Sequence, residues 1–185
     1  MIAAMEYRAA TADDAGAIAR LHADSWRIAY RGMLSDEYLD GPVYDDRLTV
    51  WTERMAHQGP HQFTLVADDA GTLAGFAHTF TDESETWGSY VENLHAAPDR
   101  KGQGIGTRLM AETAAWVDAN ARLKSLYLFV LEPNTNAQHF YDSIGGERDG
   151  DKVSIGADGS RNKALRYVWR DLHLLSQLRP ATPPG

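Results

Sequence analysis

The stretch LHAAPDRKGQGIGTRL, residues 94–109, decides the fold of this protein. Its centre alternates three glycines from Gly102 to Gly106, after a predicted strand that ends at Pro98 and before a predicted helix over 109–121. A glycine loop in this position leaves backbone N–H groups bare beside the positive end of a helix, and both features attract a phosphate. The stretch therefore predicts a strand, a pyrophosphate-binding loop and a helix.

The local charge supports this function for the loop. Residues 98–108 contain three basic residues and one acidic residue, a charge of +2 in a chain whose net charge is -8. A tight turn that needs glycine for its conformation alone is the structural alternative. A dinucleotide-binding loop is a second alternative, although Thr107 stands where its third glycine belongs. A triphosphate-binding loop is excluded because the sequence contains no Gly-Lys-Ser/Thr.

Length and composition indicate one folded domain. For 185 residues we expect a single domain over 1–175 and a disordered tail over 176–185. The absence of cysteine excludes disulfides, thiol catalysis and iron–sulfur clusters, and leaves only histidine and carboxylate as metal ligands. We expect no metal, because a Gly-Pro sequence interrupts the one close histidine pair, His57 and His61.

Charge and hydropathy also limit the partners and the compartment. A net charge of -8 argues against a nucleic-acid-binding surface. No run of apolar residues is long enough to span a membrane, and Glu6, Arg8 and Asp13 interrupt the N-terminal segment before a signal peptide could form. We therefore expect a cytoplasmic protein that binds neither nucleic acid nor membranes.

Apolar periodicity and turn signals predict a mixed α/β fold. Strands are expected at 6–9, 62–67, 73–80, 90–97, 125–131, 152–155 and 163–170. Helices are expected at 12–30, 36–39, around 48–55, at 109–121 and at 134–144. The continuous apolar run SLYLFVL, residues 125–131, is typical of a strand that is covered on both faces.

Two motifs resemble those of the GNAT superfamily of N-acetyltransferases. The first is a strand, then Gln/Arg-x-x-Gly-x-Gly/Ala, then a helix, and here Lys101 replaces the Gln or Arg. The second, Asn-x-x-Ala-x-x-Phe-Tyr with a following glycine, spans Asn134 to Tyr141 and continues to Gly145-Gly146. The resemblance implies a mixed, twisted central sheet of about seven strands with flanking helices, splayed in its middle to receive acetyl-CoA.

The resemblance also implies where acetyl-CoA would bind. The pantetheine arm would bond to strand backbone around Leu94 and Ala96, the pyrophosphate would lie on the glycine loop, and Asn134 would lie beside the pantetheine. The cofactor-binding residues so implied are Leu94, His95, Ala96, Arg100, Lys101, Gly102, Gln103, Gly104, Ile105, Gly106, Thr107 and Asn134.

By the same resemblance Tyr141 faces the thioester sulfur. A phenol with a pKa of about 10 is protonated at neutral pH and can donate its proton to a thiolate whose ordinary pKa is about 8.5. Packing in the core is the alternative role for Tyr141. Glu92, two residues before Leu94, is the predicted general base, acting through water, and a solvated glutamate is the alternative. Backbone N–H groups near 94–96 would stabilise the oxyanion.

The acceptor is expected to be a small primary amine, and an acidic stretch favours a cationic one. Residues 34–46, LSDEYLDGPVYDD, contain five acids and no base, close in sequence to Trp26 and Tyr30. Carboxylates and aromatic rings suit a cation, so Asp36 and Glu37 with the two aromatic residues form the predicted acceptor site. A solvated acidic helix face is the alternative.

The segment 22–32 is similar to that of a GNAT branch that contains polyamine acetyltransferases. Taken together, these features predict an acetyl-CoA-dependent N-acetyltransferase that transfers the acetyl group by direct attack of the amine in a ternary complex. A non-catalytic acyl-CoA-binding or sensor module on the same fold is the alternative. The oligomeric state stays open, with a homodimer as one alternative.

Overall fold

The computed structural model describes residues 5–178, and every structural statement below concerns these residues. The strands are β1 (Glu6–Ala9), β2 (Gln62–Asp69), β3 (Thr72–Ser84), β4 (Gly88–Ala96), β5 (Leu126–Leu131), β6 (Glu147–Ile155) and β7 (Arg161–Trp169). The α-helices are α1 (Ala15–Ala29), α2 (Asp36–Asp40), α3 (Val43–Ala56), α4 (Ile105–Asn120), α5 (Thr135–Ser143) and α6 (Leu172–Ser176). In this part of the chain no helix is long and apolar enough to cross a bilayer.

The strands form one mixed sheet in the order β1-β2-β3-β4-β5-β7-β6. Neighbouring strands are antiparallel except β4 and β5, which are parallel. Parallel neighbours need a long crossover connection, and α4 lies in the one that joins β4 to β5. The seven-stranded mixed sheet with its flanking helices confirms the predicted fold class.

The sheet splays in its middle, between β4 and β5. These strands pair only at their first residues, where Ser89 lies opposite Leu126 and Tyr90 lies opposite Tyr127. Beyond these pairs β4 continues to Ala96 and stays paired with β3 alone. The two halves of the sheet therefore diverge, and the gap between them opens the cavity described below.

Successive side chains of β2 point to opposite faces of the sheet, and their contacts show that helices cover both faces of its first half. Val66 packs in a buried cluster with Ile18 of α1 and Trp51 of α3. Leu65, one residue earlier and therefore on the opposite face, packs in a cluster with Leu109 of α4. This arrangement holds α1 and α4 on opposite sides of β4, so that both helices reach the splay.

Several elements differ from the prediction, and β3 and α3 are each longer than expected. Helix α4 begins at Ile105 rather than at 109, because Gly104 adopts a φ of 74° and the chain enters the helix directly from the glycine loop. Strand β6 extends from Glu147, although only its end was predicted, and most of its residues are exposed. The short helix α6 was not predicted. Of the predicted tail 176–185, residues 179–185 lie outside the described part of the chain.

Local interactions explain α6. The side chain of Asp171 accepts a hydrogen bond from the Leu174 N–H at 3.1 Å and so caps the first turn. Leu172 and Leu175 are buried and join the core cluster beneath α4 and β7. Five residues are too few for apolar periodicity to reveal a helix in sequence, and burial of these two leucines stabilises it instead.

Candidate functional site

A cavity of about 530 Å³ lies where β4 and β5 diverge. One wall is the end of β4, the opposite wall is β5 with α5, and the glycine loop with the start of α4 forms one end. The lining residues are Ser25, Ala29, Tyr30, Leu94, His95, Ala96, Arg100, Lys101, Gly102, Gly104, Ile105, Gly106, Thr107, Phe129, Val130, Asn134, Asn136, Ala137, Phe140 and Tyr141. Every predicted cofactor-binding residue except Gln103 is among them. We call this space the cofactor cavity.

The glycine loop presents backbone donors to this cavity. Gly102 and Gly104 have φ angles of 81° and 74°, a conformation that other residues rarely adopt. The N–H groups of Ile105, Gly106 and Thr107 belong to the first turn of α4, where no carbonyl of the same helix can accept them. Three donors at the positive end of a helix form a site for an anion.

The two basic side chains of the loop differ in their partners. Arg100 is tied to Asp69, with 2.8 Å between guanidinium nitrogen and carboxylate oxygen. Lys101 is exposed and has no carboxylate within ion-pair distance among the described residues. Lys101 is therefore the cation that remains available to a phosphate.

Helix α5 brings Asn134 and Tyr141 to the cavity. The Asn134 side chain caps the helix by accepting a hydrogen bond from the Ala137 N–H at 3.2 Å. Tyr141 is buried, with its ring 5.5 Å from that of Tyr167 between centroids. Burial raises the pKa of the Tyr141 phenol, and the neighbouring phenols of Tyr30 and Tyr167 add to the effect. Tyr141 is therefore protonated at neutral pH, as a proton donor must be.

A histidine pair supports the wall formed by β4, a role that was not predicted from the sequence. Nδ1 of His95 lies 2.9 Å from Oγ of Ser25, which links β4 to α1. Behind it, His22 is buried and its Nδ1 accepts a hydrogen bond from the indole N–H of Trp51 at 2.9 Å. A buried imidazole on a helix has no signal in sequence, because the residues that surround it come from separate elements.

A second cavity of about 210 Å³ adjoins the first. Tyr30 and Phe129 line both cavities, so the two spaces meet at this pair of rings. The lining residues are Trp26, Tyr30, Leu34, Tyr90, Glu92, Phe129, Leu131, Lys152, Ser154, Ile155, Gly156, Ala157, Asn162 and Ala164. We call this space the second cavity. It brings together three predicted residues, Trp26, Tyr30 and Glu92.

Glu92 lines the second cavity and is held in place by its neighbours. Its carboxylate lies 2.6 Å from the Arg54 guanidinium and accepts a hydrogen bond from the Asn93 side chain at 2.8 Å. These contacts orient the carboxylate and leave it partly exposed. Sequence alone did not show that α3 supplies a cation to this strand.

Asp36 and Glu37 line neither cavity. Both are exposed on α2, and Arg31 forms ion pairs with Asp36 and Asp40. The acidic stretch is thus partly neutralised by a base that lies just before it in sequence. Helix α2 packs against Trp26 and Tyr30 through Tyr38 and Leu39, while Asp36 and Glu37 are exposed.

Lys152 of β6 is the cation among the described residues that line the second cavity, and it was not among the predicted site residues. Its Nζ lies 3.8 Å from the centroid of the Phe129 ring. An exposed lysine on an exposed strand carries no sequence signal, because only the fold brings β6 opposite α1.

No cluster of three or more metal-ligating side chains occurs within residues 5–178.

Comparisons with known proteins agree with this geometry. The model of the acetyltransferase (GNAT) family matches residues 18–145. The N-acetyltransferase YuaI of Bacillus subtilis strain 168, itself described as uncharacterized, is 28% identical over 174 residues, which cover 92% of this chain and 96% of that protein.

Solved structures share the fold. The PaiA N-acetyltransferase of Thermoplasma acidophilum, in complex with coenzyme A, is 20% identical with a TM-score of 0.67, over 88% of this chain and 98% of that one. YncA of Salmonella typhimurium, with its cofactor acetyl-CoA, is 18% identical with a TM-score of 0.64. The match covers 97% of this chain and 99% of that one. The family match includes both motifs and the glycine loop, and the chain belongs to the GNAT family of N-acetyltransferases.

Proposed function

We propose that this N-acetyltransferase moves the acetyl group of acetyl-CoA to the primary amine of a small acceptor by direct attack in a ternary complex. The observation that carries the proposal is the meeting of two cavities at Tyr30 and Phe129. Both reactants can then be bound at once, with their reacting atoms at the shared wall. The chain has no cysteine thiol to carry the acetyl group in a two-step route.

The cofactor cavity suits acetyl-CoA. The free N–H groups of Ile105 to Thr107 and the unpaired Lys101 would hold the pyrophosphate, and the unpaired edge of β4 near Leu94 and Ala96 would bond to the pantetheine amides. The coenzyme A and acetyl-CoA in the PaiA and YncA structures support this assignment through the shared fold. Acetyl-CoA supplies an activated acetyl group as a thioester.

Tyr141 would hold the proton that the leaving sulfur needs. The phenol lines the cofactor cavity and its raised pKa keeps the proton in place at neutral pH. Because the ordinary pKa of a thiol, about 8.5, is lower than that of the phenol, the hydroxyl would stabilise the developing thiolate by donating a hydrogen bond, and the proton would follow where burial also raises the pKa of the thiol. The hydroxyl would therefore assist departure of the thiolate and not binding of the cofactor.

Glu92 would receive the proton that the attacking amine loses. It lies in the second cavity, on the strand that borders the cofactor cavity two residues later. Arg54 and Asn93 hold the carboxylate in one orientation, which favours proton transfer through a single water. Tyr30, shared by both cavities, would orient the amine between Glu92 and the thioester.

A cationic acceptor stays a prediction. The acidic residues that motivated it, Asp36 and Glu37, line neither cavity. Trp26 and Tyr30 remain in the proposed acceptor site because both line the second cavity.

Release of free thiol from acetyl-CoA in the presence of amines tests the proposal. The panel contains amino acids, their carboxamides, polyamines, aminoglycosides and peptides, and mass spectrometry identifies the acetylated product. We expect at least one small amine to raise the rate at least tenfold over the rate with acetyl-CoA alone. Double-reciprocal plots should intersect, as a ternary complex requires.

The alternative function, a non-catalytic acyl-CoA-binding or sensor module, predicts a different result. Such a module would bind acetyl-CoA in calorimetry and release no more thiol with any amine than without one. Parallel double-reciprocal lines would instead contradict the ternary complex and indicate an acetylated enzyme.

A further inference from the structure

The second cavity contains a positive charge that no carboxylate neutralises. Lys152 lines it, and within residues 5–178 no carboxylate is within ion-pair distance of its Nζ. Its nearest counterpart, Lys163 of β7, pairs with both Glu132 and Asp151. The Lys152 ammonium is instead 3.8 Å from the centroid of the Phe129 ring, at the wall shared with the cofactor cavity.

Among the described residues that line the second cavity, Lys152 and Glu92 carry the charged side chains, and the Glu92 carboxylate is already paired with Arg54, which lies outside the lining. The Lys152 ammonium is therefore the charge that lacks a partner. Although Lys152 is exposed overall, partial desolvation of its ammonium and then the nearby Arg166 guanidinium lower its pKa, the result expected for an ammonium without an anionic neighbour. A ligand with an anionic group would supply the missing partner, whereas a second cationic group would be repelled.

The register of the sheet places the backbone of Lys152 two strands away from β5. Leu131, Ala164 and Lys152 lie side by side on β5, β7 and β6. Neighbouring strands are about 4.8 Å apart, so the backbone of Lys152 lies about 10 Å from that of Leu131. The long side chain of Lys152 extends back across Ala164 and Leu131 toward Phe129. Apart from Lys152 and Glu92, most of the lining of the second cavity is apolar or aromatic, with Ser154 and Asn162 as further polar residues.

We propose that the acceptor is an amine that also carries an anionic group, with a carboxylate as the fitting case, and that Lys152 binds this group while the amine lies near Tyr30. This inference rests on the proposed acetyl transfer, because it assigns the second cavity to the acceptor. A volume of about 210 Å³ suits a molecule of amino-acid size. A polyamine would place a like charge beside Lys152 and leave the ammonium unpaired.

Matched acceptors and matched variants test the proposal. Each amino acid is compared with its own carboxamide, which keeps the side chain, loses the negative charge and has an amine of lower pKa. Since the lower pKa favours attack by the amide, a preference for the acid reports the anionic group. With the parent enzyme we expect kcat/KM to be at least tenfold higher for the acid than for the amide. In Lys152→Met this ratio should fall to within threefold of one, mainly through KM, and Lys152→Arg should restore most of it. Lys163→Met should keep the parental ratio.

A binding measurement separates failure of this inference from failure of the proposed function. Calorimetry with amino acids in the presence of coenzyme A requires no turnover. Binding that depends on Lys152 without thiol release would uphold the carboxylate site and overturn acetyl transfer. Turnover with a polyamine preferred over every amino acid, or a Lys152→Met ratio equal to that of the parent, would overturn the anionic acceptor and leave acetyl transfer intact. Absence of both binding and turnover would overturn both.

Discussion

The imidazole rings of His22 on α1 and His95 on β4 lie 4.6 Å apart between centroids, with 36° between their planes. Burial, and then the charge of Arg47, lower the pKa of His95 to about 3. Burial also lowers the pKa of His22 well below its ordinary range, and a charge on His95 would lower it further. Both rings are therefore neutral at neutral pH and pack α1 against β4 behind the cofactor cavity.

The buried histidines predict that acid destabilises the fold. Burial lowers the pKa of His78 to about 3 as well. Below a pH of about 6.5 the unfolded chain binds protons at His22, His78 and His95 that the folded chain does not. Stability is then complete above this pH and falls as the pH approaches about 3, by about 1.4 kcal/mol per pH unit for each histidine.

Urea unfolding at several pH values between about 7.5 and about 4.5 measures this loss. His78 lies outside both cavities. In His78→Asn the slope of the unfolding free energy against pH should decrease by the contribution of one histidine, even though the variant is less stable at every pH. His57→Asn, at an exposed position, is the matched control and should keep the parental slope. Equal slopes in the parent and His78→Asn would contradict the linkage.

The proposed proton donor predicts a defect in turnover and not in cofactor binding. Tyr141→Phe keeps the buried ring and removes the hydroxyl, so kcat should fall by about 10²-fold or more while the Kd for acetyl-CoA changes by no more than a few-fold. Steady-state kinetics and calorimetry give the two quantities. Tyr127→Phe, on β5 and outside both cavities, is the control. A kcat within about threefold of the parent would assign Tyr141 to packing alone.

The proposed base predicts a similar pattern for Glu92. Glu92→Gln keeps the shape and the hydrogen-bonding capacity of the side chain but loses its proton affinity, so kcat should fall by about tenfold or more. Glu132→Gln removes another partly exposed, ion-paired carboxylate and should change kcat less than twofold. If both variants behave alike, Glu92 is a solvated glutamate.

The unpaired lysine of the glycine loop predicts salt-dependent cofactor affinity. Lys101→Gln should raise the Kd for coenzyme A about threefold, as expected for an exposed charge pair of about 0.7 kcal/mol. Calorimetry at low and high ionic strength should show that the salt dependence of binding becomes weaker in the variant. Lys124→Gln, which lines neither cavity, serves as the control. An unchanged salt dependence would remove Lys101 from the phosphate site.

Close packing of α4 on β3 predicts that Gly75 tolerates no side chain. A Cβ there would lie 2.8 Å from Cγ2 of Ile105 and 2.9 Å from the carbonyl oxygen of His95. Gly75→Ala should therefore destabilise the protein by about 1–3 kcal/mol in urea unfolding. Gly16→Ala meets nothing within 4 Å inside α1 and should instead stabilise by about 0.5–1 kcal/mol. A change in the free energy of unfolding of the opposite sign at either position would contradict the packing.

The sequence by itself determined the order of the secondary-structure elements and the position of the glycine loop. Periodicity and turn residues are local signals, so the strands around 62–80 and the strand–glycine–helix unit at 90–121 could be identified from neighbours along the chain. The boundaries were less certain where local preference is weak. Gly104 and Ile105 belong to the helix start, which depends on the φ angle that the loop adopts in the folded chain.

Only the tertiary structure decided the charges and partners within the site. Glu92 meets Arg54 of α3, and Lys152 of β6 reaches Phe129 of β5, across separations in sequence that no local pattern records. The sequence predicted that Asp36 could bind a cationic acceptor, whereas in the folded chain Asp36 is paired with Arg31. Electrostatic interactions depend on distance in space, so the sign of the charge offered to an acceptor is set by how the strands and helices assemble.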